Sequence, residues 1–237
     1  DGQVYVLEVN PRASRTVPFV AKATGVPLAK IATRLCLGEK LADIEITPKG
    51  GDLYFIKAPV FPWRKFAGTD VVLGPEMRST GEVMGVGWSF GEAYAKALIA
   101  AGMKLPTDGG VFLSIRDSDK PASVPIAGAL AHMGFRLYAT RGTARFLAEK
   151  GIACEPVFKV REGRPDAVDL IKNGDVQLIL NTPMGKKALY DELAMRLAGL
   201  EQGIPCITNL WAAKAAVAAI RSMRAGELRV IKLQEIT

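Results

Sequence analysis

The sequence predicts an α/β fold in which the C-terminal half is a Rossmann-like parallel sheet with helices on both faces. Short apolar runs typical of buried strands recur after residue 110, and segments with helical patterning separate them. Such strand–helix alternation is typical of parallel sheets. The N-terminal part lacks this alternation, which predicts a smaller α+β unit there. The predicted strands of the C-terminal half are residues 111–115, 135–139, 176–181 and 206–208, with a short edge strand at 229–233.

In the N-terminal part, the elements are predicted from apolar runs and from the residues that interrupt them. Residues 4–9 are apolar and β-branched enough for a strand, and residues 53–60 form a second candidate. A pair of helices is predicted over 17–37, broken at Gly25-Val26-Pro27. An amphipathic helix is predicted over 89–101. The Pro, Gly and Asp content of 103–110 indicates a linker, so we predict domains at 1–104 and 105–237.

The composition narrows the classes of function. The 237 residues are 49% apolar and 23% charged, which is typical of a globular protein and predicts no membrane span. The net charge of +7 comes without a basic tract, which favours anionic small molecules over nucleic acid as ligands. The chain opens on Asp1 with neither a methionine nor a signal-like leader, which predicts a segment of a longer cytoplasmic protein.

The cysteine and histidine content excludes several kinds of site. Cys36, Cys154 and Cys206 are odd in number and far apart, which predicts reduced thiols and no zinc site. His132 is the only histidine, so a Ser-His-Asp triad and most histidine-based metal sites are not expected.

A first candidate site follows the predicted strand 4–9. Glu8 and Asn10 point to the same face of that strand, because its side-chain period is two. A carboxylate and an amide oxygen are ligands suited to Mg²⁺. Arg12 and Arg15 follow directly and could neutralise phosphate oxygens around the metal. The alternative is a polar strand end that Pro11 terminates.

This region resembles a known family. The segments EVNPRASRTVPFV at 8–20 and LGPEMRSTGEVMG at 73–85 are similar to the end of the second ATP-grasp unit in the carbamoyl-phosphate synthetase large chain. The resemblance implies that Glu8 and Asn10 bind Mg²⁺ or Mn²⁺ on the ATP phosphates. It also implies that Arg12 and Arg15 lie beside the phosphates and the carbamate as catalytic residues.

A second candidate site follows the predicted strand 135–139, in the segment FRLYATRGTARF at 135–146. Thr143 is the predicted N-cap of a helix that Gly151 closes. The turn presents backbone N–H groups, the hydroxyls of Thr140 and Thr143 and the guanidinium of Arg141 to one spot, which predicts a phosphate site. The alternative is an ordinary βα turn with a capping threonine.

Similar polar groups follow the other predicted strands. Asn181 and Thr182 end the strand at 176–181, Lys120 follows the strand at 111–115, and Lys159 lies between the two turns. Ligands of open parallel sheets bind outside the carboxyl ends of the strands. We therefore expect these groups to converge at one edge of the sheet.

This half of the chain resembles the methylglyoxal-synthase-like domain, which in carbamoyl-phosphate synthetase is the allosteric domain. The resemblance implies that UMP or IMP binds here as a regulatory nucleotide. Thr208 matches a further effector contact, which belongs to the ornithine regulation known in some members of the family. The nucleotide and phosphate contacts that the resemblance implies are Lys120, Thr140, Gly142, Thr143, Lys159, Asn181 and Thr182.

The sequence departs from the family pattern at two places. Methylglyoxal synthases carry Gly-Gly-Asp after the second turn, with the aspartate as catalytic base, and this chain has Gly185-Lys186-Lys187 instead. A proton abstraction therefore lacks its base, and a lyase function is disfavoured. Ornithine regulation uses a glutamate and a tyrosine at the positions of Ala58 and Cys206, so we do not expect it here.

Together the resemblances imply the C-terminal part of the large subunit of carbamoyl-phosphate synthetase, a glutamine-hydrolysing ligase of pyrimidine and arginine biosynthesis. The whole enzyme uses two ATP, bicarbonate and ammonia, which a small glutaminase subunit supplies. The chain lacks the lysine and glycine-rich lid of an ATP-grasp site, so we expect it to be inactive alone. The alternatives are a stand-alone nucleotide-binding module over 110–237 and, less favoured, a methylglyoxal-synthase-type lyase. The oligomeric state stays open.

Overall fold

The computed structural model describes residues 3–6, 8–49, 51–65, 68–74, 76–160, 162–183, 189–226 and 228–235. Within these residues the chain forms two units of secondary structure, an antiparallel strand pair and a larger parallel sheet, and one helix packs against both. The helices are α1 (Thr16–Thr24), α2 (Leu28–Cys36), α3 (Phe90–Ala100), α4 (Lys120–His132), α5 (Arg141–Ala148), α6 (Ala167–Lys172), α7 (Leu189–Glu201) and α8 (Leu210–Arg224). The strands are β1 (Tyr54–Val60), β2 (Gly81–Gly87), β3 (Gly110–Ser114), β4 (Arg136–Thr140), β5 (Glu155–Val157), β6 (Leu178–Asn181) and β7 (Cys206–Ile207).

The C-terminal half is a five-stranded parallel sheet in the order β5-β4-β3-β6-β7. The first strand, β3, lies at the centre, and the chain then builds outward first on one side and later on the other. This arrangement confirms the predicted α/β class and places a topological switch point at β3.

Apolar side chains cover both faces of the sheet. Val111 and Leu113 of β3 point to one face, where they pack with residues of α3, α4, α5 and α8. Phe112 points to the opposite face and packs with residues of α6 and α7. Because successive side chains of a strand alternate between faces, a strand buried on both sides needs apolar residues at every position. The run Val111-Phe112-Leu113 meets that need, and this explains why the strands could be predicted.

The helix pair of the N-terminal part confirms the prediction over 17–37. Gly25 ends α1 with a left-handed φ of 69°, and Pro27 immediately precedes α2. Glycine adopts a positive φ without the steric cost that a Cβ brings, which is why it closes helices so often. Val26, Ile31 and Ile44 form a small separate apolar cluster beneath the pair.

The predicted strand at residues 4–9 is wrong. The described residues of this segment have no regular secondary structure, and Val4, Tyr5, Val6 and Val9 are exposed. A strand forms only where a neighbouring strand accepts its backbone hydrogen bonds. None of the described sheets contains this segment, so its β-branched composition alone does not make it a strand.

Helix α3 connects the two units. Strands β1 and β2 pair antiparallel, from Tyr54 opposite Gly87 to Val60 opposite Gly81, and they pack on α3. The other side of α3 packs on α8, and Ala95 and Leu98 belong to the main apolar core. The core thus includes residues on both sides of position 104, and the domain boundary at 104/105 stays a prediction.

The C-terminal edge strand predicted at 229–233 is also wrong. Residues 228–232 have no regular structure, and a short 3₁₀ turn follows at Leu233–Glu235. The backbone N–H of Arg229 donates to Glu92 Oε1 at 3.1 Å, and the Arg229 guanidinium lies 4.2 Å from the centre of the Trp88 ring. These contacts hold the segment against the start of α3 rather than at the sheet. The edge strands of the parallel sheet are instead β7 and β5, and the three-residue β5 was not predicted from the sequence.

No helix in the described part of the chain has the length and hydropathy that a bilayer crossing requires.

Candidate functional site

The residues predicted to bind a nucleotide lie at the carboxyl edge of the parallel sheet. They end or follow four strands around the switch point at β3: Lys120 follows β3, Thr140, Gly142 and Thr143 lie at β4, Lys159 follows β5, and Asn181 and Thr182 lie at β6. Thr208, the further effector position, follows β7. Because parallel strands bring their carboxyl ends to one edge, the fold gathers groups that are far apart in sequence.

Thr143 is not the N-cap of α5, as the sequence predicted. The helix begins directly after β4 at Arg141, Thr140 occupies the N-cap position without a side-chain cap, and Thr143 is the third helical residue. The buried Thr143 hydroxyl accepts from the Ile115 N–H at 3.2 Å and from the Thr140 hydroxyl at 3.1 Å. It also lies 3.4 Å from the Ile115 carbonyl oxygen, to which it donates. Thr143 therefore fixes the β3–α4 connection.

Thr182 makes the matching contact from the other side of β3. Its hydroxyl accepts from the Arg116 N–H at 2.9 Å, and its own N–H donates to the Ser114 carbonyl at 3.0 Å. Adjacent Asn181 is fully buried, and its amide nitrogen donates to the same Ser114 carbonyl at 3.3 Å. The turns after β4 and β6 thus hold the 114–116 backbone between them, which shapes the edge where a ligand of this fold class would lie.

Two lysines give this edge its positive charge. Lys120 Nζ lies 2.7 Å from Asp117 Oδ1, and the Lys120 side chain is only 15% exposed. A Cβ added at Gly142 would lie 3.4 Å from Lys120 Nζ, so the ammonium group lies at the start of α5. The Lys120 hydrogen bond and charge, helped by the charge of Lys159, lower the pKa of Asp117 below its usual value. Lys120 therefore contacts Asp117 directly, and Lys159 acts on Asp117 through its charge.

Arg141 does not join this group, although the sequence predicted that its guanidinium would. Its Nη2 donates to Glu162 Oε2 at 3.0 Å, and its guanidinium lies 5.1 Å from the centre of the Phe158 ring. The side chain is thus engaged by the connection that follows β5. A surface arginine next to a carboxylate and an aromatic face has two partners that the local sequence does not reveal.

The predicted effector positions outside this group, and the cysteines, have ordinary surroundings. Thr208 is half-buried directly after β7. Ala58 is buried on β1. Burial raises the pKa of the Cys206 thiol to about 12, so this thiol stays protonated at neutral pH. All three cysteines are free in the structure. The departure at Gly185-Lys186-Lys187 lies outside the described residues.

Sequence reasoning missed a buried ion pair behind this edge. The Arg196 side chain of α7 is fully buried, and it donates to both carboxylate oxygens of Asp70 and to the Asn181 amide oxygen. Asp70 and Arg196 are 126 positions apart in the chain. The only sign of this ion pair in the sequence was an arginine among the apolar residues of α7. Because a lone arginine in a helix usually faces solvent, that sign does not predict burial.

The first candidate site keeps part of its predicted geometry even without a strand. Asn10 Nδ2 donates to Glu8 Oε1 at 3.2 Å, so the carboxylate and the amide lie side by side at the surface. Arg12 and Arg15 are exposed nearby in sequence, and Arg15 is the N-cap residue of α1. A carboxylate oxygen and an amide oxygen fit part of a Mg²⁺ coordination sphere, but here it is the Asn10 amide nitrogen that faces the Glu8 carboxylate. Among the described residues, no group of three or more His, Cys, Asp or Glu side chains completes one.

Two family models match the chain. The model of the MGS-like domain matches residues 122–208, and the model of the carbamoyl-phosphate synthase L chain, ATP binding domain, matches residues 1–44. Among solved structures, a methylglyoxal synthase from Elizabethkingia anophelis NUHP1 is 17% identical and covers 50% of this chain and 82% of its own, with a TM-score of 0.41.

Curated relatives match almost the whole chain. The carbamoyl phosphate synthase large chain of Acidobacterium capsulatum is 54% identical over 98% of this chain, and that of Nostoc sp. is 52% identical over 98%. The C-terminal section of the large chain from Methanopyrus kandleri is 50% identical over 100% of this chain. The chain spans only 22%, 21% and 45% of these relatives respectively. It therefore belongs to the carbamoyl phosphate synthase large-chain family and corresponds to its C-terminal part.

Proposed function

We propose that the chain is the regulatory end of an ATP-dependent ligase that makes carbamoyl phosphate from bicarbonate, glutamine-derived ammonia and two ATP. The parallel-sheet half binds a regulatory nucleoside monophosphate, UMP or IMP, through its phosphate. The N-terminal segment contributes residues to the site that phosphorylates carbamate. A small glutaminase subunit supplies the ammonia to the complete cytoplasmic enzyme.

The observation that supports the nucleotide site best is the convergence of Thr143 and Thr182 on the backbone that follows β3. With these hydroxyls holding residues 115 and 116, Lys120 Nζ lies beside the first turn of α5. The first N–H groups of a helix have no partner within the helix, and together with the helix dipole they favour an anion. A phosphate at this place would meet two lysines and the helix N-terminus, and it would displace Asp117 from Lys120.

The N-terminal site supports the ligase role through the pairing of Glu8 with Asn10. These two residues would hold Mg²⁺ or Mn²⁺ on the ATP phosphates, and the metal would neutralise phosphate charge. Arg12 and Arg15 would add charge beside the transferred phosphoryl group. Phosphoryl transfer depends on such positioning and neutralisation rather than on covalent chemistry by the protein.

Nucleotide binding is expected to raise the melting temperature of the chain. At ten times the dissociation constant, a ligand that binds only the folded state stabilises it by about 1.4 kcal/mol. For a chain of this size that corresponds to roughly 3 to 6 °C. Thermal unfolding with UMP, with IMP and with inorganic phosphate measures this shift and separates recognition of the nucleoside from binding of phosphate alone.

The matched variants are Lys159→Ala and Lys214→Ala. Both remove one lysine, but Lys214 lies on the exposed side of α8, outside the candidate site. We expect Lys159→Ala to abolish most of the nucleotide shift and Lys214→Ala to keep it. Thr143→Ala is a poorer test, because it also removes the acceptor of the Ile115 N–H. The absence of any shift with UMP, IMP or phosphate would end the proposal.

The chain alone is expected to hydrolyse ATP no faster than buffer. It holds Glu8, Asn10, Arg12 and Arg15, but an ATP-grasp site also needs a lysine and a lid that the family resemblance assigns to the preceding part of the enzyme. Release of phosphate from Mg·ATP, followed with and without the chain, measures this. Hydrolysis that Glu8→Gln abolishes would show a complete site and refute the expectation.

A further inference from the structure

Arg196 joins three parts of the protein that are distant in sequence. It projects from α7 with a side-chain exposure of 0%. Its Nε and Nη2 donate to the two carboxylate oxygens of Asp70 at 2.7 and 2.6 Å. Its Nη1 donates to Asn181 Oδ1 at 2.7 Å, and Glu192 Oε2 lies 3.5 Å from the same nitrogen.

This arrangement decides how the Asn181 amide is oriented. Arginine has no hydrogen-bond acceptor, so the Asn181 atom that faces it must be the carbonyl oxygen. The Asn181 amide nitrogen then faces the Ser114 carbonyl at 3.3 Å, beside the backbone that Thr182 and Thr143 hold. One proton of that nitrogen points to Ser114, and the fully buried amide lies at the end of β6, at the carboxyl edge of the sheet.

The two-point contact with Asp70 makes Arg196 a rigid connector. A guanidinium bound through two parallel hydrogen bonds cannot rotate without breaking both. Asp70 lies in the connection between β1 and β2, and its Oδ1 also accepts from the Val72 N–H at 3.2 Å. A displacement of residues 70–72 would therefore displace Arg196, and with it the oxygen contact that orients Asn181.

We propose that Asp70 and Arg196 are positioning residues that hold the Asn181 amide for the nucleotide and so couple the β1–β2 connection to the nucleotide site. The proposal rests on the nucleotide site described under the proposed function. Asp70, which lies outside the parallel-sheet half, then controls the affinity for the nucleotide without touching it. By the reciprocity of linkage, nucleotide binding then stabilises the placement of residues 70–72.

The first test needs no ligand. In ¹⁵N-labelled protein, the Asn181 side-chain amide is expected to give a shifted, slowly exchanging signal, assigned by its disappearance in Asn181→Ser. In Asp70→Asn this signal should move toward the position of an exposed amide and exchange faster, whereas Asp70→Glu should restore it in part. Asp52→Asn, in an exposed turn, is the matched control and should leave the signal unchanged. An unchanged signal in Asp70→Asn would overturn the positioning role.

The second test measures affinity by calorimetry with UMP and IMP on the whole chain. Loss of a charged hydrogen-bond partner predicts that Asp70→Asn weakens binding by about tenfold or more, and that Asp52→Asn changes it by less than about twofold. Equal affinity of Asp70→Asn and the unchanged protein would overturn the coupling. If the unchanged protein binds neither nucleotide, the proposed function fails, while the amide signal still decides whether Asp70 and Arg196 position Asn181.

Discussion

Replacing Gly85 with alanine is expected to destabilise the protein by about 3 kcal/mol or more, the upper end of the range for overpacked cores. Gly85 lies on β2 where the strand crosses α3. A Cβ at this position would lie 2.0 Å from the Ala93 carbonyl oxygen and 2.5 Å from the Ala97 backbone nitrogen. Both atoms belong to the helix backbone, so no side-chain rotation can relieve the overlap. The strand pair must move away from the helix.

Gly81 on the same strand provides the control. A Cβ added at Gly81 meets no atom within 4 Å, so Gly81→Ala changes the same residue type without a clash. Urea unfolding followed by far-ultraviolet circular dichroism gives the free energy of unfolding of each variant. We expect a large loss for Gly85→Ala and a change within about 0.5 kcal/mol for Gly81→Ala. Similar free energies for the two variants would contradict the close contact.

The parallel sheet could be predicted because its signal is local. Strands buried on both faces give unbroken apolar runs, and Val111-Phe112-Leu113 shows such a run as strand β3. The same argument fails for short edge strands. In β5 only Val157 is buried, while Glu155 and Pro156 are exposed, so the strand leaves no apolar run in the sequence. It exists because β4 offers it a partner.

At residues 4–9 and 229–233 the sequence predicted strands that the structure does not contain. Both segments have strand-like composition, yet a strand is defined by the neighbour that accepts its hydrogen bonds. Arg229 instead donates its N–H to Glu92, which lies 137 positions away in the chain. No local pattern indicates such a partner.

The position of the candidate residues at one edge of the sheet could be predicted from the sequence, but the contacts among them could not. The residue types after each strand pointed to one sheet edge, and the topology brings those positions there. The contacts themselves depend on tertiary structure. The Thr143 hydroxyl binds Ile115 across 28 positions instead of capping its own helix, and Arg196 meets Asp70 across 126. Threonine and arginine each have several local partners available, and only packing selects among them.

Glu92→Gln is expected to reduce the free energy of unfolding by roughly 3 kcal/mol at neutral pH, as for a broken buried ion pair. Glu92 is 1% exposed at the start of α3. Its carboxylate accepts from Lys96 Nζ at 2.7 Å, from the Trp88 N–H at 2.8 Å and from the Arg229 N–H at 3.1 Å. A neutral amide has one acceptor oxygen and cannot replace these charged contacts. The loss should loosen both the start of α3 and the C-terminal segment.

The pH dependence of this effect follows from the pKa of Glu92. Burial raises this pKa, but the hydrogen bonds from Lys96, Trp88 and Arg229 outweigh burial and lower the pKa below its usual value. A carboxyl group with a lowered pKa in the folded state stabilises the fold above its unfolded pKa of about 4.3. That contribution is lost as the pH falls through the folded-state pKa. The difference between the protein and Glu92→Gln should therefore be constant above about pH 5 and shrink at lower pH.

Glu76→Gln provides the matched control for this titration. Glu76 is a glutamate with a 76% exposed side chain and a 3.3 Å contact to Arg78, and exposed pairs contribute little to stability. Its variant should therefore differ from the unchanged protein by less than about 1 kcal/mol at every pH. Urea unfolding of both variants from pH 7 down to about pH 3.5, below the ordinary pKa of glutamate, gives the two curves. A Glu92→Gln difference that stays constant into acid would show that the loss comes from packing, and the ion-pair account of α3 would then be wrong.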